Sequence, residues 1–156
     1  MDLALMVGDA MFNYRVGLLI RRGRQILVEI NPKFEVSTIP GGRIKTLEDS
    51  KNAIIRELSE EMKIDFSKDN IRIKALIENF FYMEEKNFHE VYILYKVNID
   101  QDDDRFSDDM INYDSEASYY KWVDMDKLAS VNLMPKVLRH LKDDNSFEHY
   151  IVNDLK

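Results

Sequence analysis

The chain of 156 residues contains no cysteine. A disulfide framework, a thiolate zinc site and a cysteine nucleophile are therefore excluded, and the composition is compatible with an intracellular setting. Histidine is scarce as well: His89, His140 and His149 are too scattered to form a sequence-local metal cluster. No Gly-x-Ser-x-Gly elbow occurs, so the usual serine hydrolase arrangement has no candidate. Neither an internal repeat nor a Gly/Ser-rich linker divides the sequence, which predicts one domain over residues 1–156 with a core of its own. Positive charge is also short. Lys and Arg number 22 against 29 Asp and Glu, giving a net charge of −7. That balance disfavours a broad basic surface that grips nucleic acid through its phosphates, but it leaves room for a small phosphate ligand. The opening MDLALMVGDAMF has apolar residues without a basic leader, and Asp2 and Asp9 interrupt it. It does not read as a signal peptide or membrane span, so a cytoplasmic protein with no membrane partner is expected.

What is present concentrates between Pro40 and Ile64, PGGRIKTLEDSKNAIIRELSEEMKI. A helix beginning after Asp49 advances about 100° per residue, which sets Glu57, Glu60 and Glu61 on one face. Ile54, Ile55, Leu58 and Met62 fall on the other side as an apolar stripe. Three converging carboxylates repel one another unless a cation offsets them, and a hard, oxygen-seeking ion such as Mg²⁺ or Mn²⁺ suits that donor set. Ala53, one turn before Glu57, leaves space beside them. The plainer alternative is a solvated acidic helix face.

The spacing of Gly42, Glu48, Arg56, Glu57, Leu58, Glu60, Glu61 and Ile64 resembles the Nudix box of the Nudix hydrolases. Lys63 stands where that box has glycine, just past the helix end, where a left-handed backbone is expected at a local cost of about 1 kcal/mol. Phe12 to Val16, Glu78 to Phe81, His89-Glu90 and Trp122-Val123 also look like segments of bacterial Nudix proteins in the same order. The resemblance implies an α+β architecture in which a mixed β-sheet is sandwiched between helices. It further implies a metal-dependent hydrolase for nucleoside diphosphate derivatives, small-molecule substrates cleaved at the pyrophosphate by water attack on phosphorus.

On that footing the metal ligands are the Gly42 carbonyl, Glu57, Glu60 and Glu61. Glu57, Glu60, Glu61 and Arg56 form the catalytic set, with Arg56 orienting a glutamate. Glu48 either supports the site through an ion pair or joins the metal cluster, and Glu60, with Glu48, Glu90 and Glu116, is among the candidates for the general base. Arg15, Arg43 and Gly41 are candidates for phosphate contact, since arginine's fork suits phosphate oxygens and glycine admits a close backbone approach. ADP-ribose, nucleotide sugars and modified nucleoside triphosphates are the substrate types implied. Isopentenyl diphosphate isomerisation is disfavoured by the missing cysteine. The reading from another class is a nucleotide-sensing module that keeps the fold without hydrolysis. Homodimers are common among such proteins, and nothing in the sequence fixes the oligomeric state.

The flanking pattern predicts a hairpin of Tyr14–Ile20 and Gln25–Ile30 around Gly23, a short strand at Thr38-Ile39, and a longer hairpin of residues 71–82 and 88–99. Tyr119–Val123 reads as a last strand, followed by a helical turn over residues 126–129. Pro135 is placed to begin a helix carrying Val137, Leu138 and Leu141. The tail from Phe147 to Leu155 fits either a helix or a strand. The acidic run QDDDRFSDD invites a calcium-loop reading but has Arg105 where the loop needs glycine and Ile111 where it needs glutamate, so a surface loop is expected.

Overall fold

The computed structural model describes residues 1–155. β1 (Ala4–Val7) and β2 (Ala10–Arg22) form a hairpin, and Gly23, at φ +60°, turns β2 into β3 (Gln25–Asn31). Two short strands follow, β4 (Val36–Thr38) and β5 (Gly41–Arg43), and then the helix α1 (Ser50–Met62). β6 (Arg72–Met83) and β7 (Lys86–Asn98) make the long hairpin. Its connecting residues Glu84 and Glu85 are both left-handed, at φ 49° and 62°, the backbone that a two-residue hairpin needs to match strand twist. β8 (Asp109–Ile111) and β9 (Tyr119–Asp124) precede two 3₁₀ segments, Met125–Val131 and Lys136–Arg139, and β10 (Glu148–Asn153) closes the order.

These strands form one mixed sheet in the order β10-β6-β7-β2-β3-β9-β8, with β1 and β5 added on β2 and β4 on β3. β2 runs parallel to β7, and β10 runs parallel to β6, whereas the hairpin pairs are antiparallel. Period-two alternation sends the side chains of each strand to opposite faces. Val16, Leu18 and Ile20 of β2 pack under Ile54, Leu58 and Met62 of α1, while Leu19 joins Ile77, Leu94, Leu128 and Leu138 beneath the 3₁₀ segments. The sandwich is therefore present, with its second cover built from 3₁₀ turns.

Two expectations about the C-terminal part are corrected. The segment after Pro135 is a single 3₁₀ turn: Pro135 caps it from an extended conformation and the backbone leaves the helical region at His140. Leu138 is nonetheless buried, and Val137 and Leu141 pack beside it, so the apolar residues find the core without a regular helix. Tyr119–Val123, expected as the last strand, is followed by another, because the tail, open between helix and strand, adds β10 to the free side of β6, with His149 opposite Leu76 and Ile151 opposite Glu78.

The feature that positions the site is a split between neighbouring strands. β2 and β3 pair only next to their turn, at Arg21/Ile26 and Arg22/Gln25. Farther along, β2 takes β5 as its partner, setting Arg15 opposite Arg43, Val16 opposite Gly42 and Gly17 opposite Gly41. The strands part there, and α1 lies against β5.

Candidate active site

α1 starts where an aspartate can cap it. Asp49 accepts the Asn52 backbone N–H at 2.9 Å, satisfying one of the free donors of the first turn. The helix ends at Lys63 with φ 61° and ψ 29°, the left-handed conformation expected of a residue in the glycine position, and its N–H donates to the Ser59 carbonyl at 3.1 Å. The Lys63 ammonium lies 5.6 Å from the Tyr113 ring centre, a cation–π contact available to the lysine alone.

Between these ends, Glu57 and Glu61 are buried, at 9% and 7% exposure, whereas the Glu60 side chain remains 44% exposed. Gly42 fits directly against Glu57: a Cβ on Gly42 would stand 2.3 Å from the carboxylate carbon. Arg56 binds this acidic group together. Its Nε and Nη2 donate to the two oxygens of Glu48 at 2.7 and 2.9 Å, and its Nη1 donates to Glu57 at 2.8 Å and to Glu60 at 3.3 Å. Arg56 Nη2 also reaches the Arg43 carbonyl at 3.1 Å, tying α1 to β5. The Arg56 contacts hold the Glu48 carboxyl down at about 2, and the Lys45 backbone N–H donates to it as well.

Glu61 faces a different set of groups. Its Oε2 accepts the Tyr120 hydroxyl at 2.8 Å. Burial, followed by the negative charge of Glu29, pushes its carboxyl up to about 8, and the Tyr120 hydrogen bond opposes that only in part. Burial also raises Glu57, against the pull of Arg56. Glu29 is raised by burial too, and it accepts Ser118 Oγ at 2.7 Å and Asn112 Nδ2 at 3.3 Å. Glu29 and Tyr120 are cross-strand partners on β3 and β9.

The expected convergence of three carboxylates is thus realised only in part. Repulsion and the available donors separate them: Glu57 and Glu60 turn to Arg56, and Glu61 turns to Tyr120. Among the described residues, no three acidic or histidine side chains stand as a ready cation-holding group. The donor chemistry still suits a hard divalent ion. Glu57 and Glu61 are buried carboxylates, both raised by desolvation, and Glu57 rests on a glycine whose missing side chain leaves it room.

A cavity of about 480 Å³ opens on this face, and its wall includes Arg15, Arg43, Arg56, Glu57 and Glu60. Lys45, Asp2 and Asp114, which sequence reasoning did not single out, also reach it. Gly41 is off this wall. It is buried against β2, where a Cβ would lie 2.1 Å from the Val16 carbonyl oxygen, so strand packing rather than ligand access explains the glycine. Glu90 is also away from the wall and buried, with Asn79 Nδ2 donating to it at 3.2 Å and Arg15 Nη1 3.9 Å away. Glu116 is exposed on the 112–118 loop that carries Asp114. Tyr120 and Glu29 were missed because their signal is the strand register, which joins residues far apart in sequence.

The family model of the NUDIX domain matches residues 11–144. The Mutator MutT protein of Bacillus halodurans is 15% identical with a TM-score of 0.66, over 92% of this chain and 93% of that one. The MutT protein of Methanosarcina mazei is 19% identical at TM-score 0.58, over 86% and 92%. An Ap4A hydrolase of C. elegans is 24% identical at TM-score 0.52, over 77% and 85%. These likenesses show the shared fold. No curated protein sequence matches the chain.

Proposed function

The chain belongs to the NUDIX family, and from that premise we propose that it is a metal-dependent pyrophosphohydrolase cleaving the diphosphate linkage of a nucleoside diphosphate derivative. The observation that carries this reading is the cavity wall, where the Glu57 and Glu60 carboxylates stand beside the Arg15, Arg43 and Arg56 guanidiniums. Cationic forks and hard anionic ligands side by side suit a diphosphate bound together with Mg²⁺ or Mn²⁺.

Glu57, Glu61 and the Gly42 carbonyl are the groups assigned to hold the ion, with Glu60 at the open side. When bound, such an ion neutralises phosphate charge and makes water more acidic. The chain's own residues do the rest. Arg15 and Arg43 bind and orient the diphosphate from β2 and β5. Arg56 keeps Glu57 and Glu48 in place and couples the helix to β5. The oxygen of water forms a bond to phosphorus, the bond from phosphorus to the bridging oxygen breaks, and the proton passes to a carboxylate. Glu60 suits that role best because it is both exposed and on the wall. Glu116 is the remaining alternative. The Tyr120 hydroxyl anchors Glu61 and has no need to ionise, since burial and Glu61 push it well above its ordinary range.

The test is a turnover screen with Mg²⁺ and with Mn²⁺ over ADP-ribose, nucleotide sugars, Ap4A, and normal and oxidised nucleoside triphosphates. Product from one class, lost on chelation, supports the proposal and names the substrate. Tight nucleotide binding with no product from any class favours a sensor instead.

A further inference from the structure

β2, β7 and β6 bring Asn13, Glu90 and Asn79 into one row on the same face of the sheet. All three are buried, at 4%, 4% and 6% exposure. A carboxylate this deep is costly unless a cation or several donors offset it. Glu90 has one amide donor, Asn79 Nδ2, and one cation, the Arg15 guanidinium. Arg15 is in the next row of the same face, two residues after Asn13 and beside Glu90. It reaches from there to the cavity wall, where its side chain is 32% exposed.

The geometry of this pair is incomplete in a specific way. Arg15 Nη1 stands 3.9 Å from Glu90 Oε2, too far for a hydrogen bond, and Arg15 Nε is buried with no partner. Charge attraction holds the guanidinium beside Glu90 at the cavity wall while its Nε remains unused.

We propose that Glu90 is a positioning residue, fixed by Asn79 and acting through Arg15, which it aims into the cavity to receive a phosphate of the substrate. This rests on the reading of the cavity as a diphosphate site, and it assigns Glu90 a task other than proton transfer. Glu90 touches no substrate in this account. Its effect passes entirely through the arginine.

The test is a double-mutant comparison of Glu90→Gln, Arg15→Ala and both together, read as affinity for ADP in the presence of Mg²⁺ and as KM and kcat on the best substrate. Glu90→Gln weakens ADP binding and raises KM on the order of tenfold, the size of one charge-assisted hydrogen bond, with kcat nearly kept. In the Arg15→Ala background the same change adds less than about twofold. Asn79→Ser, which frees Glu90 without removing its charge, gives a smaller loss in the same direction and serves if Glu90→Gln does not fold. Unchanged ADP affinity in a folded Glu90→Gln protein overturns the proposal, as do fully additive losses. A collapse of kcat at constant KM also overturns it, in favour of a proton-transfer role. If ADP binds and no substrate turns over, the hydrolase reading fails while the ADP affinities still decide the role of Glu90.

Discussion

At the scale of single residues, the Nudix-box departure at Lys63 is absorbed locally. Its left-handed backbone is the conformation that glycine supplies more cheaply, and the Tyr113 contact returns part of the cost. Lys63→Gly is expected to raise the melting temperature by roughly 2–4 °C, the equivalent of about 1 kcal/mol for a domain of this size, with turnover unchanged. Loss of activity in that variant would place Lys63 in the site itself. Glu61 gives the opposite balance between stability and function. Its folded-state carboxyl is raised to about 8, so in chelator the native state binds more protons than the unfolded chain between about 4.5 and 8. Metal-free stability therefore falls as pH rises through that window. Glu61→Gln is expected to flatten that slope in thermal melts and to raise the melting temperature at pH 8. Glu48 acts with the other sign: held at about 2, it stabilises the fold above about 4.5, and that contribution is lost as pH falls toward 2.

At the scale of elements, adjacent glycines have separate tasks. Gly42→Ala drives a methyl into the Glu57 carboxylate, whereas Gly41→Ala drives one into the β2 backbone. The first is expected to cost turnover by about 10²-fold or more while the melting temperature holds, because a misplacement of about 1 Å near the reacting groups is enough. The second is expected to lower the melting temperature as well, and circular dichroism melts beside initial rates separate the two. Equal effects at both positions would mean that Gly42 serves packing alone. Much of this was legible in the sequence: a helix starting after Asp49, the apolar stripe of α1, the acidic face and the two hairpins all follow local rules of period and turn chemistry. The 3₁₀ turn after Pro135 and the strand β10 were not, because their form depends on partners elsewhere. Leu138 is satisfied by the far face of the sheet, and residues 148–153 become a strand by lying alongside residues 75–80.

At the scale of the whole molecule, the site comes from strand splitting that no local pattern encodes. β2 exchanges β3 for β5, and the gap brings Arg15, Arg43 and the Glu57 face of α1 to one cavity. The sequence reading supplied most of the wall residues, but Gly41 and Glu90, also candidates there, lie off the wall, and Glu29 and Tyr120 were missed. Strand register, rather than composition, decides all four. The acidic run near Asp103 is likewise resolved by tertiary contacts. Arg105 donates to Asp69 and Asp103 there, which makes the run a charge-paired surface loop. The net charge of −7 overstates what a nucleotide meets at the cavity, because Arg15, Arg43, Lys45 and Arg56 balance the four acidic residues of its wall.

The most direct measurement is the rate of nucleotide pyrophosphate cleavage with saturating Mg²⁺ for the wild-type chain, Glu57→Gln and Glu61→Gln, with a melting curve for each. Metal-dependent turnover is expected in the wild type, with losses on the order of 10³-fold or more in both variants and folding intact. Near-wild-type turnover in either variant would contradict the assignment of these carboxylates as the catalytic centre.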